Sequence, residues 1–326
     1  MSISRIAKIA GVSTATVSKI LNGKDQAISE ATRQRVLEIV ERERYIPNAI
    51  AKSLKKNYTK TIGLIIPDVM NLFFSELARG VEDSADKLGY SLILCNTDNS
   101  ADKEKKYLQV LQSKRVDGII VTAVENSDET SLWNCITPIV LMDRDIKTHK
   151  PVGRIKIENE KCTYDAVVHL LEKGCKNIGF ISSITINNIS EDRLKGYIKA
   201  LKKNNMPYNE ELVYLRDYSI ETGYIGALKL IENNKIDGIC CGNDLIAIGA
   251  IKALKERNID IPKEVKIIGL DDISISSYLD PPLTTIKQPI YDMGHEAVNL
   301  LLDMIEKKET NLLRVLDHKL IERMST

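Results

Sequence analysis

The sequence predicts an α/β protein of two doubly wound lobes, each built on a parallel sheet, preceded by a small all-α head. Three observations predict it. From residue 61 onward, short apolar runs alternate with amphipathic helical stretches, the pattern of strands buried on both faces. The same order of runs occurs twice. Charge is also split: residues 1–60 carry twelve Lys and Arg against five Asp and Glu, a net of +7, whereas the remainder nets −6 in a chain that totals +1. A length of 326 residues suits a small module plus a larger body.

The head reads as three short helices over residues 1–46. Ile3, Ile6, Ala7 and Ala10 recur at helical spacing until Gly11 breaks the run. Ser13 is placed to cap a second helix with Val17, Ile20 and Leu21 on its inner face, and Asn22-Gly23 stops it. Ser29 is placed to cap a third, running through Ala31, Val36, Leu37 and Val40. Helix, tight turn and short helix make a helix-turn-helix arrangement. The outer side of the second helix offers Thr14, Ala15, Thr16, Ser18 and Lys19, all small or polar. Small groups admit a helix to a major groove, hydroxyls meet phosphates or base edges, and a lysine reaches a guanine edge. Ser13 and Asn22 join them as candidate DNA contacts. An ordinary three-helix bundle with a polar face is the alternative, which the local charge disfavours.

Residues 47–60 read as a hinge helix and linker. Pro47 suits a first helical position, and the stretch after it pairs an Ala/Leu face with basic ends. So short a helix is marginal alone. Packed against a copy of itself and a DNA groove it would order, with Leu54 wedged between base pairs and Lys55 on phosphate. Asn48 and Ala51 share that stretch as candidate contacts. A plain linker helix is the alternative.

The body, residues 61–326, reads as two Rossmann-like lobes facing a cleft. Strand, helix and strand at 61–66, 77–88 and 90–95 return at 177–181, 194–204 and 212–215. Residues 115–121 parallel 235–241, and 139–144 parallel 267–272. Cys240 and Cys241 fall in one such apolar run and read as buried thiols.

Ligands bind such sheets at the carboxyl ends of the strands. There the first lobe offers Asn71, Phe73, Phe74, Asp143 and Arg144, and the second offers Arg193, Tyr218, Asn243 and Asp271, with Gln288 at a return crossover. The chain has only three Phe, and two stand together here. Aromatic faces stack on the C–H faces of a sugar ring, while amides, carboxylates and guanidinium groups pair with hydroxyls that both donate and accept. A cleft with aromatic walls and polar rims suits a monosaccharide. Taken singly, Phe73 and Phe74 could be core residues at a helix start, Asp68 a helix cap, and Arg144 and Asp271 an ion pair.

Other classes are disfavoured. No apolar run reaches a transmembrane length, and the first residues lack the apolar stretch of a secretion signal, so a cytoplasmic protein is expected. Six cysteines without a C-x-x-C pair and four scattered histidines give no metal site. No phosphate loop, no G-x-G-x-x-G after a strand and no serine elbow occur, so neither catalysis nor a cofactor is expected. Asp271-Asp272 could form a carboxylate pair, but consecutive side chains at a strand end point apart.

The segment from Ile6 to Ser18 with Leu21-Asn22-Gly23, and Tyr45-Ile46-Pro47-Asn48-Ala49-Ile50-Ala51-Lys52-Ser53-Leu54, resemble the LacI/GalR family of bacterial repressors, along nearly the whole chain. The resemblance is ribose-repressor-like: Asn71, Phe73, Phe74, Asp143, Arg144, Arg193, Asn243, Asp271 and Gln288 match the pattern of periplasmic ribose-binding proteins, with Tyr218 where an aromatic is usual. Leu72 stands where the family often has proline. The resemblance implies a periplasmic-binding-protein-like core with crossovers near residues 158, 287 and 315. It further implies a homodimer on palindromic operator DNA, a hinge helix that folds on the operator with Leu54 in the minor groove, and control by ribose or a related monosaccharide. Catabolite-control regulators of the same family answer instead to a phosphorylated carrier protein. Tyr291-Asp292-Met293-Gly294 resembles them, but Asn299 stands where their carrier-contacting arginine is expected.

Overall fold

The computed structural model describes residues 2–45, 58–124, 127, 135–144, 146, 148–184, 188–233 and 235–326. The chain divides into two compact units, Met1–Thr59 and Lys60–Thr326.

In the first unit, α1 (Ile3–Ala10), α2 (Thr14–Leu21) and α3 (Glu30–Arg42) each begin at a serine whose Oγ accepts a backbone N–H three residues on. Gly11, at φ 64°, ends α1 in the left-handed region, where a side chain would be strained. Ile6, Ala7, Ala10, Val17, Ile20, Val36 and Ile39 form the core. Leu37 does not join it and is 42% exposed. Val36, Ile39 and Val40 make the i, i+3, i+4 stripe of α3, and Leu37 falls one residue step off it. The hinge candidates Asn48, Ala51, Leu54 and Lys55 lie outside the described residues.

The second unit holds two six-stranded sheets. The first lobe has β1 (Thr61–Ile66), β2 (Ser91–Asn96), β3 (Gly118–Val121), β4 (Ile139–Met142), β5 (Gly153–Ile157) and, from far along the chain, β11 (Leu313–Leu316), in the order β11-β5-β4-β3-β1-β2. Every pairing is parallel. The second lobe repeats this order as β12-β10-β9-β8-β6-β7, from β6 (Ile178–Ser183), β7 (Val213–Arg216), β8 (Gly238–Cys241), β9 (Lys266–Asp271), β10 (Thr284–Lys287) and β12 (Lys319–Ile321). Only β12 runs antiparallel. The chain crosses between lobes after β5, after β10 and between β11 and β12.

Among the described residues, seven helices cover the sheets: α4 (Leu72–Lys87), α5 (Ala101–Ser113), α6 (Asn159–Glu172), α7 (Asn188–Lys203), α8 (Ile220–Asn233), α9 (Asp244–Glu256) and α10 (Ile290–Ile305). Because of the crossovers, α6 follows β5 but packs with α7 on the second lobe, and α10 follows β10 but packs with α4 on the first. The two pairs are built alike. A Cβ on Gly80 of α4 would stand 2.2 Å from the Tyr291 carbonyl oxygen of α10, and one on Gly196 of α7 would stand 2.2 Å from that of Glu160 on α6. Glycine at the ninth position of each helix lets the backbones touch. Several helices start earlier than their apolar pattern does: α4 at Leu72 instead of 77, α7 at Asn188 instead of 194. In α4 the reason is Asn71, whose Oδ1 accepts the Phe73 N–H at 3.0 Å. Among the described residues no helix is long and apolar enough to cross a membrane. All six cysteines are buried, and burial pushes the Cys240 thiol up to about 12.

Candidate functional site

The cleft residues come from the carboxyl ends of strands in both lobes and meet around one cavity. Asn71, Phe73, Phe74, Asp143 and Arg144 line it from the first lobe, and Ile189, Arg193, Tyr218, Asn243 and Asp271 from the second. The space between these side chains totals about 350 Å³, volume open to solvent included. Nine of these ten were anticipated. Ile189 was missed because it sits in the first turn of α7, before the apolar repeat of that helix becomes legible.

Each side chain is held by its element. Asn71 and Asn243 are N-caps whose Oδ1 atoms accept the N–H groups of Phe73 and Ile246, which leaves their amide NH₂ groups turned to other work. Phe73 and Phe74 meet edge to face, with centroids 5.1 Å apart and planes at 87°. Both belong to the core cluster of the lobes and also line the cavity, so the core and ligand roles coincide. The Arg144 guanidinium lies 5.7 Å from the Phe74 centroid, and its Nη1 donates to the Ala123 carbonyl at 3.2 Å. In the other lobe the Arg193 guanidinium lies 5.4 Å from the Tyr218 centroid. Its Nε donates to Asn159 Oδ1 at 2.9 Å, and its Nη1 donates to the Gly242 carbonyl. The Tyr218 hydroxyl is 3.1 Å from Ser190 Oγ. Two aromatic rings, each attended by a buried arginine, thus occupy corresponding walls.

The carboxylates sit at equivalent strand ends. Asp143 follows β4 with φ 60° and Asp271 ends β9 with φ 131°, uncommon conformations for residues with side chains. Burial pushes the Asp143 carboxyl up, against the pull of Arg144 and Arg193. Burial holds the Asp271 carboxyl well above its ordinary value despite Arg193. Burial also works against the Arg193 charge, but Tyr218, Asp271 and Asp143 more than offset it and keep that guanidinium above its ordinary value. Gln288 stands behind this layer: it is buried, its Nε2 donates to Asp271 Oδ1 at 2.6 Å, and it does not line the cavity. Asp143 Oδ1 and Gln288 Oε1 are buried acceptors without a hydrogen-bond partner among the described residues, a costly arrangement unless something else donates to them.

Asp272 diverges from Asp271. It leaves the cleft and pairs with Arg323 at 2.6 Å. Asp68 is likewise not part of the lining; its Oδ1 accepts the Met70 N–H at 2.9 Å within a turn. Arg144 and Asp271 form no ion pair among the described residues, although both are buried.

On the head, the second helix shows Thr14, Ala15 and Lys19 exposed and Thr16 and Ser18 half-buried. Ser13 Oγ accepts the Thr16 N–H at 3.0 Å, and exposed Asn22 donates from Nδ2 to the Ser18 carbonyl at 2.6 Å. The capping hydroxyl and amide fix both ends of a helix whose middle presents short side chains outward.

A helix-turn-helix head and a two-lobed core with a cleft at its strand ends define a ligand-responsive DNA-binding regulator. Residues 2–48 match the family model of bacterial regulatory proteins of the lacI family, and residues 167–326 match a periplasmic binding protein-like domain. The chain is 40% identical to the HTH-type transcriptional regulator RegA of Clostridium saccharobutylicum, over 100% of this chain and 99% of that one. It is 36% identical to the catabolite control protein A of Priestia megaterium, over 98% of each. A solved LacI family transcriptional regulator from Enterococcus faecium with bound ribose superimposes with a TM-score of 0.72 at 31% identity, covering 82% of this chain and 98% of that one. The chain belongs to the lacI family of bacterial regulatory proteins. It is a DNA-binding transcriptional regulator and not an enzyme.

Proposed function

We propose that this chain is a homodimeric regulator, acting as a repressor, that reads palindromic operator DNA and is controlled by a monosaccharide, ribose or a close relative, held in the cleft. The observation that carries the sugar is the unpartnered buried acceptor Asp143 Oδ1 in a cavity walled by Phe73, Phe74 and Tyr218. A ring with apolar faces and several hydroxyls answers both demands. The relative with bound ribose supports the same reading.

On the DNA side, Thr14, Ala15 and Lys19 face the bases or phosphates, with Ser13, Thr16, Ser18 and Asn22 beside them. Asn48, Ala51, Leu54 and Lys55 serve at the minor groove. Ligand acts only through unequal affinity for two lobe arrangements, which the hinge passes to DNA. Calorimetry of the full chain against a panel of pentoses and hexoses tests the effector, and selection of operator sequences from a random pool tests the head. No heat with any sugar would remove the effector claim; no enriched palindrome would remove the DNA claim.

A second reading is favoured by one finding, the likeness to a catabolite control protein along nearly the whole chain. In it a phosphorylated carrier protein is the co-repressor. Asn299, half-buried on α10, and the equipped cleft weigh against it. Pull-down with the phosphorylated and unphosphorylated carrier separates the two.

A further inference from the structure

Glu104 lies in the first turn of α5 and is 1% exposed. A carboxylate so placed is costly unless it is bonded and faces positive charge. Its Oε2 accepts the Val124 N–H at 2.9 Å, and its Oε1 accepts the Ser127 hydroxyl. These two residues belong to the loop that follows β3. The residue before Val124 is Ala123, whose carbonyl accepts Nη1 of Arg144. One carboxylate therefore pins the peptide that aims the arginine over Phe74. Glu104 also feels the Arg144 charge directly: burial pushes its carboxyl up, while Ser127, Val124 and Arg144 pull against that.

We propose that Glu104 is a positioning residue of the ligand site: it sets Arg144 through the Ala123–Val124 peptide and supplies counter-charge behind it. Asp143 Oδ1 is left unpartnered for a ligand donor. The inference rests on the cleft being the ligand site. It assigns to α5 a share in affinity although no α5 residue lines the cavity.

The test uses the full chain with D-ribose as probe. Glu104→Gln keeps the shape and an acceptor for the Val124 N–H but removes the charge. It should weaken D-ribose binding about tenfold, the size of one charge-assisted hydrogen bond, and should add little to the loss in an Arg144→Met background. Unchanged affinity, or an equal further loss in that background, overturns the proposal. A parallel cycle by urea denaturation without ligand should show the stability effects of E104Q and R144M to be coupled; strict additivity overturns it. If the wild-type chain binds no D-ribose, ribose itself is ruled out as the effector, and the ligand-free cycle still decides the role of Glu104. Should E104Q not fold, Ser127→Ala removes one anchor only and enters the same cycles, with a smaller loss of the same sign expected.

Discussion

Gly196→Ala is a sharp probe of how the lobe architecture serves the cleft. The added methyl carbon would stand 2.2 Å from the Glu160 carbonyl oxygen and 3.0 Å from both Thr163 Cβ and the Tyr164 nitrogen. Two of these atoms are backbone, so no rotamer change makes room. Restoring an ordinary contact of roughly 3.2 Å requires α7 to move about 1 Å from α6. Overpacking of this kind costs about 1–3 kcal/mol, while alanine returns up to about 1 kcal/mol of helix propensity. A net loss near 1 kcal/mol corresponds to about 2–4 °C in melting temperature for a unit of this size. The displacement also has a functional address. Arg193 sits one turn from Gly196 on the same helix, and its 2.9 Å bond reaches Asn159 at the start of α6. A shift of 1 Å between those helices breaks that bond or drags the guanidinium from the cleft. Differential scanning calorimetry and sugar titration of the same variant should therefore fall together. An unchanged melting temperature would refute the close-packing argument. A lowered one with unchanged affinity would refute the link from α6 to Arg193.

Three further outcomes are expected. Ser13→Ala removes the α2 cap and should lower the stability of the head by about 1 kcal/mol, visible by circular dichroism of the head transition while the transition of the core stays put. Asp143→Asn should change how core stability depends on pH: a native carboxyl raised by burial adds stability in acid that fades as pH climbs from the unfolded carboxylate range through the native value. The variant should thus gain on wild type as pH rises above the unfolded carboxylate range, and a constant gap in urea midpoints would count against the buried charge. Arg193→Met leaves Asp143 and Asp271 without their shared cation, so it should abolish sugar binding and destabilise the core by about 3–5 kcal/mol, read by calorimetry and urea melts.

Much of this was legible in the chain because the fold is written twice. The run Ile139-Val140-Leu141-Met142-Asp143-Arg144 finds its counterpart in Ile267-Ile268-Gly269-Leu270-Asp271-Asp272, and the structure sets both at strand ends in matching positions of two sheets. Strand β5 left no comparable trace. Arg154 and Lys156 interrupt Gly153, Ile155 and Ile157, and its buried and half-buried residues alternate, so it lacks the unbroken apolar run of a central strand. Helix starts were misplaced where polar caps and loop-like residues open the helix, as at Asn71 and Asn188. Ile189 was hidden for the same reason. The layer behind the cleft was also invisible: nothing in the one-dimensional pattern distinguishes Gln288, which supports Asp271, from a residue that lines the cavity.

The three passages of the chain between lobes bear on how the molecule is made. The first sheet acquires its edge strand only with residues Leu313–Leu316, and α10, which covers β3, β4 and β5, is translated after nearly the whole of the second lobe. On a ribosome, the early half must therefore wait with one flank bare until residues 290–316 emerge. Both halves mature together, and a message cut short yields neither a sensor nor a spare lobe.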